Sequence, residues 1–346
     1  MNSPPTAEDA LVRIIAHMAS ATGRGSGVRT GIGDDAAVLE TVGGRLLLAT
    51  TDLLVEDVHF RRRWAGPADI GWKSIAVNLS DIAAMGGVPR WGLVALGCPG
   101  DVGEAEIRAF YDGALACASE HDVAVVGGDT SASPAGWLVN VTLLGESAHR
   151  PLLRSTAHPG DVIAVTGVLG RSGAGLAALE LESVPAGVPP ATRAALTSTH
   201  LRPRPRVHEG RWLGRDGSAS AMMDVSDGLA SDLPRLCAAS EVGARVELRR
   251  LPVDEATRTL GAALDADPVG WATGGGEDYE LLLTCPPDVF ARLARDLQEA
   301  TGTPLTAVGE VVPGAGVTWL DAAGRSVAVT PGWEHFVGRA AAGARR

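Results

Sequence analysis

RLLLATTD, residues 45–52, is a Leu-rich run that reads as a buried strand and stops on an acidic side chain, Asp52, behind two hydroxyls, Thr50 and Thr51. The same pattern recurs along the chain. VAVVGGDT (123–130) runs through two glycines into Asp129, and AMMDVSDGL (221–229) places Asp224 and Asp227 around Val225 and Ser226 before Gly228. Between such runs the apolar spacing turns helical. Residues 7–19 read as an opening helix, followed by a Gly-rich turn at 23–27. Residues 68–85 read as a helix stopped by Gly86 and Gly87, with Pro89 beyond. Asp101 and Glu104 have capping-box spacing, and Ile107, Phe110, Tyr111, Ala114 and Leu115 then line one helical face. A further helix is expected over 229–239, and strands over 36–39, 91–97, 137–145, 162–166 and 279–284. Strands alternating with helices define an α/β architecture of layered sheets and helices.

At 346 residues the chain exceeds the usual size of a single hydrophobic core, so two domains are expected with a site in the cleft between them. The boundary falls in the polar stretch 147–160, which carries Pro151 and Pro159, giving domains 1–148 and 149–346. A hydrophobic content of 45% and a charged content of 21% are those of a folded globular protein. The formal charge of −11, from 41 acidic and 30 basic residues, argues against a general nucleic-acid or membrane-surface binder. Cys98, Cys117, Cys237 and Cys285 form no close pair of the zinc or redox kind. The first residues hold no leader pattern and no apolar run reaches membrane-spanning length, so the expected location is the cytoplasm. Lys73 is the only lysine.

The chemistry lies in the placement of carboxylates. Asp34 and Asp35 follow a glycine turn, Asp52, Asp129, Asp224 and Asp227 stand at apparent strand ends, and Asp81 sits one helical turn after Asn78. Each alone reads as a helix cap or turn former. As a set they would repel unless hard cations lay among them, and an all-oxygen set favours magnesium or manganese over zinc. Such a metal would also let an acidic protein hold polyphosphate. No P-loop or protein-kinase catalytic loop is present. GVLGRSGAG (167–175) reads equally as a phosphate cradle at a helix N-terminus or as a turn for close helix packing. His59, taken alone, reads as a surface residue, and Trp333 and Phe336 as packing.

Six motifs, GIGDDAAVL (31–39), TTDLLVEDVHF (50–60), NLSDIAAMG (78–86), GGDT (127–130), DVSDGLASDL (224–233) and GGGEDYEL (274–281), together resemble the thiamine-monophosphate kinase family. That family lies in the superfamily of aminoimidazole ribonucleotide synthetase, selenophosphate synthetase and HypE. The resemblance runs in order over nearly the whole chain. It implies a two-domain α/β fold whose N-terminal strands build a homodimer interface, with ATP bound in the cleft. It further implies magnesium ligands at Asp35, Thr50, Thr51, Asp52, Asp81, Asp129, Asp224 and Asp227, with Asp34 nearby. ATP contacts would include Gly128, Asp129, Arg154, Ser226 and Tyr111, and thiamine monophosphate would meet His59, Glu277 and Trp333. The expected activity is direct transfer of the γ-phosphoryl group of ATP to thiamine monophosphate.

Relatives within the superfamily fit less well. No cysteine precedes Cys98, where selenophosphate synthetase should carry a reactive one, and the sequence closes on Arg346 rather than the terminal cysteine of HypE. Aminoimidazole ribonucleotide synthetase remains the enzymatic alternative, and a non-catalytic nucleotide-binding protein the contrasting class.

Overall fold

The computed structural model describes residues 7–21, 27–183, 185 and 187–335. The expected Gly-rich turn, apart from Gly27, and Phe336 lie outside the described residues. The first half of the chain runs α1 (Ala7–Ala21), β1 (Val28–Thr30), β2 (Ala37–Glu40), β3 (Leu46–Val55), α2 (Pro67–Ala84), β4 (Val88–Cys98), α3 (Glu104–Glu120), β5 (Ala124–Ala132) and β6 (Leu138–Ser147). The second runs β7 (Val162–Thr166), α4 (Arg171–Glu180), α5 (Pro190–Leu201), α6 (Val207–Asp216), β8 (Ala221–Asp224), α7 (Leu229–Ala239) and β9 (Gly243–Glu247). It continues through α8 (Glu255–Leu264), α9 (Pro268–Gly274), β10 (Leu281–Cys285), α10 (Pro287–Thr301), β11 (Leu305–Val312), β12 (Gly316–Leu320) and β13 (Ser326–Val327).

Each half builds one sheet, in the order β1-β2-β3-β6-β4-β5 and β13-β12-β9-β11-β7-β10-β8. Pairing is antiparallel except between β4 and β5 and between β9 and β12. The acidic groups therefore do not collect at the carboxyl ends of parallel strands. Asp52 lies inside β3, because all ten residues from Leu46 to Val55 pair with β6 and carry the strand past a residue with poor β propensity. Asp129 is likewise interior to β5, which stays paired with β4 as far as Ala132. The cap of α3 also shifts from its expected place. Gly103 is the N-cap, and its N–H donates to Glu106 Oε2 at 3.1 Å, two residues beyond Asp101.

Helix α2 joins the halves. Residues 70–80 are buried without interruption, which a single apolar stripe could not require. One flank meets α3 so closely that a Cβ on Gly71 would stand 2.0 Å from Phe110 O and one on Gly113 1.8 Å from Ala68 O. The far end meets α6, where a Cβ on Gly210 would stand 2.2 Å from Ala83 O. The largest apolar core accordingly runs through both sheets, from Leu48, Ile75 and Val141 to Met222, Leu281 and Leu283. Among the described residues no helix is long and apolar enough to cross a membrane.

Candidate active site

β3, α2 and β8 each deliver carboxylates to the same point. Alternation along β3 turns Thr50 inward and Thr51 outward. Thr50 Oγ1 donates to Asp81 Oδ2 at 2.5 Å, and Ser80, the neighbour of Asp81 on α2, donates to Asp224 Oδ2 at 2.6 Å. Asp35, just before β2, completes a group in which one oxygen from each of Asp35, Asp81 and Asp224 lies within 4.8 Å of the others. Arg154 pairs with Asp35, and its backbone N–H donates to Asp34 at 3.2 Å.

The electrostatics are those of crowded anions. Burial, followed by the charge of Asp35, raises Asp34 to about 6 against the pull of Arg154. Burial, then Asp227 and Asp35, raises Asp52 to about 6. Asp81 and Asp224 are pushed well above the carboxylate range, again by burial first and by neighbouring carboxylates second. Asp35 Oδ2 is buried with no hydrogen-bond partner. An orphaned carboxylate oxygen in an all-oxygen cluster is the donor set of a hard divalent cation, and these residues fit one.

From this cluster a cavity of about 400 Å³ extends between the halves. Asp52, Asp81, Asp224, Ser226 and Asp227 line it, together with His59, Glu277 and Trp333. His59 Nδ1 accepts the Val55 N–H at 3.0 Å, so the neutral ring presents its proton on Nε2. Burial, then His335, lowers its pKa and keeps it neutral. The Trp333 N–H donates to Asp227 O at 2.8 Å, which lays the C-terminal segment over the Ser226–Asp227 turn. The Trp333 indole is half exposed there.

Other candidates lie elsewhere. Thr51 and Asp129 are on the exposed face of the first sheet, away from α2. Thr51 Oγ1 pairs with Thr142 at 3.1 Å, and Asp129 stands level with Ala95 on the edge strand. Gly128 is on the same strand, and Tyr111 packs edge-on against Phe110 on α3. None of the four lines the cavity. The glycine-rich stretch is not an open phosphate cradle. The Gly170 and Ser172 N–H groups at the head of α4 donate to Asp278 at 2.6 and 3.1 Å, so a carboxylate of the chain fills that anion seat.

Several residues joined to the site escape sequence reading. Ser80 hides inside an acidic motif. Asp232, raised to about 7 by burial and then by Asp227, accepts the Asp227 N–H at 3.0 Å, and Arg235 pairs with both carboxylates. Lys73 and His200 lie under Glu277. One signal could have pointed to Lys73: it is the only lysine of the chain and the only charged residue between Ile70 and Leu79, so burial there needs a partner.

Fold and site together define an AIR synthase related protein. The family model for the N-terminal domain of AIR synthase related proteins matches residues 33–147 and that for the C-terminal domain residues 158–320. Within that class the chain belongs to the thiamine-monophosphate kinase family. It is 39% identical to the thiamine-monophosphate kinase of Bacillus subtilis, over 83% of this chain and 86% of the relative, and 41% identical to that of Escherichia coli K12, over 82% and 84%. A solved structure described as AaThiL complexed with AMPPCP and TMP superposes with a TM-score of 0.80 at 34% identity, covering 93% of this chain and 96% of the other. The thiamine-monophosphate kinase of Stenotrophomonas maltophilia K279a gives a TM-score of 0.75 at 37% identity, covering 91% and 97%.

Proposed function

We propose that this chain transfers the γ-phosphoryl group of ATP directly to thiamine monophosphate, giving thiamine diphosphate and ADP, with magnesium held among its buried carboxylates. The observation that carries the reading is one cavity that brings the carboxylates of Asp52, Asp81, Asp224 and Asp227 together with His59, Glu277 and Trp333. The relatives named as thiamine-monophosphate kinases, and the related structure described with AMPPCP and TMP, support it.

Magnesium would be held by Asp35, Thr50, Asp52, Asp81, Asp224 and Asp227, with Asp34 behind them and Thr51 and Asp129 on the outer face. When bound, it screens the charge of two phosphate chains that must approach each other. The acceptor phosphate oxygen is anionic at neutral pH and needs no general base. It forms the new P–O bond as the bond from the γ phosphorus to the β–γ bridging oxygen breaks, and the electron pair leaves with ADP. The protein's own part is positioning. Ser226, Arg154, Gly128 and Tyr111 would meet ATP. Trp333 offers an indole face to the thiamine rings, Glu277 a carboxylate to their positive charge, and His59 an Nε2–H toward the acceptor phosphate.

A homodimer is the proposed working unit, in the cytoplasm where ATP is made. Leu53, Trp91, Leu93 and Leu138 are exposed on the sheet face opposite α2, a patch that a second copy would cover. Thr51 and Asp129 share that face and would act at the seam between copies. The deciding assay incubates the purified chain with magnesium and ATP and follows ADP and thiamine diphosphate. ADP release at an equal rate without thiamine monophosphate would sink the reading.

A further inference from the structure

Behind His59 and Glu277 lies a buried network that phosphoryl transfer itself does not use. Lys73, on α2, is 3% exposed. Its Nζ stands 2.6 Å from Glu277 Oε1 and donates to the His59 carbonyl at 3.1 Å. The two anchors come from opposite halves of the chain. His59 belongs to the turn after β3, and Glu277 to the loop between α9 and β10. From α5, His200 Nδ1 approaches Glu277 Oε2 at 3.2 Å and Ser172 Oγ at 3.0 Å. Burial, and then the Lys73 charge, hold His200 down at about 4. It is therefore neutral at working pH, and Lys73 brings the positive charge that faces Glu277.

Glu277 is itself held under strain. Its φ of 58° is a left-handed conformation that side-chain-bearing residues rarely adopt, and its N–H donates to Ser226 O at 2.6 Å. Burial would raise its pKa, but the charge of Lys73 and its hydrogen bond overcome that and keep the carboxyl below its ordinary value. Each carboxylate oxygen accepts two hydrogen bonds. Lys73 takes one on Oε1 and the His200 ring stands beside Oε2, which leaves at least one site on each oxygen.

We propose that Lys73 is a positioning residue for the acceptor. It clamps Glu277 to the His59 turn, so that the two open lone pairs of the carboxylate face the cavity at a fixed separation from the His59 ring. That pattern selects a flat, cationic or amino-bearing heterocycle presenting two adjacent hydrogens. The proposal rests on the reading of Glu277 and His59 as acceptor contacts, and Lys73 itself is not among the residues that line the cavity.

Steady-state kinetics on Lys73→Met, Lys73→Arg, Glu277→Gln and the double variant Lys73→Met with Glu277→Gln test it. Lys73→Met should raise KM for thiamine monophosphate about tenfold or more, as misplacement of a binding group does, and leave KM for ATP near its wild-type value. Lys73→Arg, which keeps the charge, should recover part of that loss. The double variant should be no worse than Glu277→Gln alone, because Lys73 acts through Glu277. Losses that add, an equal rise in both KM values, or no change in Lys73→Met would each overturn the proposal. If Lys73→Met alone fails to fold, the double variant, which removes both charges of the buried pair, is compared with Glu277→Gln and decides the same question. An unchanged acceptor KM in Glu277→Gln, with acceptor-dependent ADP release intact, overturns the clamp and leaves the kinase reading standing. Loss of acceptor dependence in the wild-type protein removes both.

Discussion

Acidification should loosen the floor of the cavity through His200. The ring is 7% exposed, and burial, then Lys73, lowers its pKa from 6.5 to about 4. In the unfolded chain it titrates near the ordinary value, so between those two pH values the unfolded state binds a proton that the native state refuses. A depressed folded pKa gives stability that is whole above the unfolded pKa and is lost as pH falls from 6.5 toward 4. A shift of about 2.5 units at ~1.4 kcal/mol each is worth about 3.5 kcal/mol when fully expressed, of which roughly 2.5 kcal/mol is lost by about pH 4.5. At roughly 2 °C per kcal/mol for a chain of this size, that is about 5 °C in Tm by about pH 4.5. The assay compares thermal melts of the wild-type protein and His200→Gln in matched buffers between about pH 7.5 and about pH 4.5. Glutamine cannot titrate, so other acid-sensitive groups cancel in the difference. The wild-type protein should lose about 5 °C more than the variant. Parallel curves would refute the assignment of a buried neutral imidazole.

Four further outcomes follow from the site. Asp81→Asn should abolish turnover, by about a thousandfold or more if the metal seat is lost, while circular dichroism stays that of the wild type. Excess chelator should stop the wild-type enzyme equally, and full activity in chelator contradicts the metal reading. Trp333→Ala should raise KM for thiamine monophosphate far more than that for ATP with Tm little changed, because the indole is half exposed. An equal loss for both substrates, or a large fall in Tm, assigns it to packing. If Asp129 serves the site of a second copy, a random mixture of Asp129→Asn and Asp81→Asn chains should regain about a quarter of wild-type turnover. A mixture as inactive as its parents places Asp129 and Asp81 in one site of one chain.

What could be read ahead of the structure was what local pattern determines. Helix α7 falls over 229–239 as its apolar spacing predicts, and α2 differs from expectation by one residue at each end. β3 and β5 run past their expected ends because pairing with β6 and β4 overrides the low strand propensity of Asp and Gly. Helix α10 carries signals that could have been used, Pro287 at its start and Gly302 after its last turn. β9, β11 and β12 depend on neighbours distant in sequence, with Gly309 at a register shift in β11. The acidic motifs pointed toward Asp35, Asp81 and Asp224, but no single-chain pattern showed that Ser80 would bridge α2 to β8 or that Asp129 would face away. Those facts depend on which face of a strand turns inward, and so on which helix covers it.

The glycine contacts of α2 also govern how the molecule comes apart. With backbone against backbone at Gly71, Gly113 and Gly210, the helix works as a shared axle and gives neither sheet room to swing. A fragment ending near residue 148 would keep α2 but strip the α6 and β8 covering from one of its flanks. Such a fragment should aggregate instead of folding alone, and the intact chain should melt in one cooperative step, with the α2 amides the last to exchange with solvent.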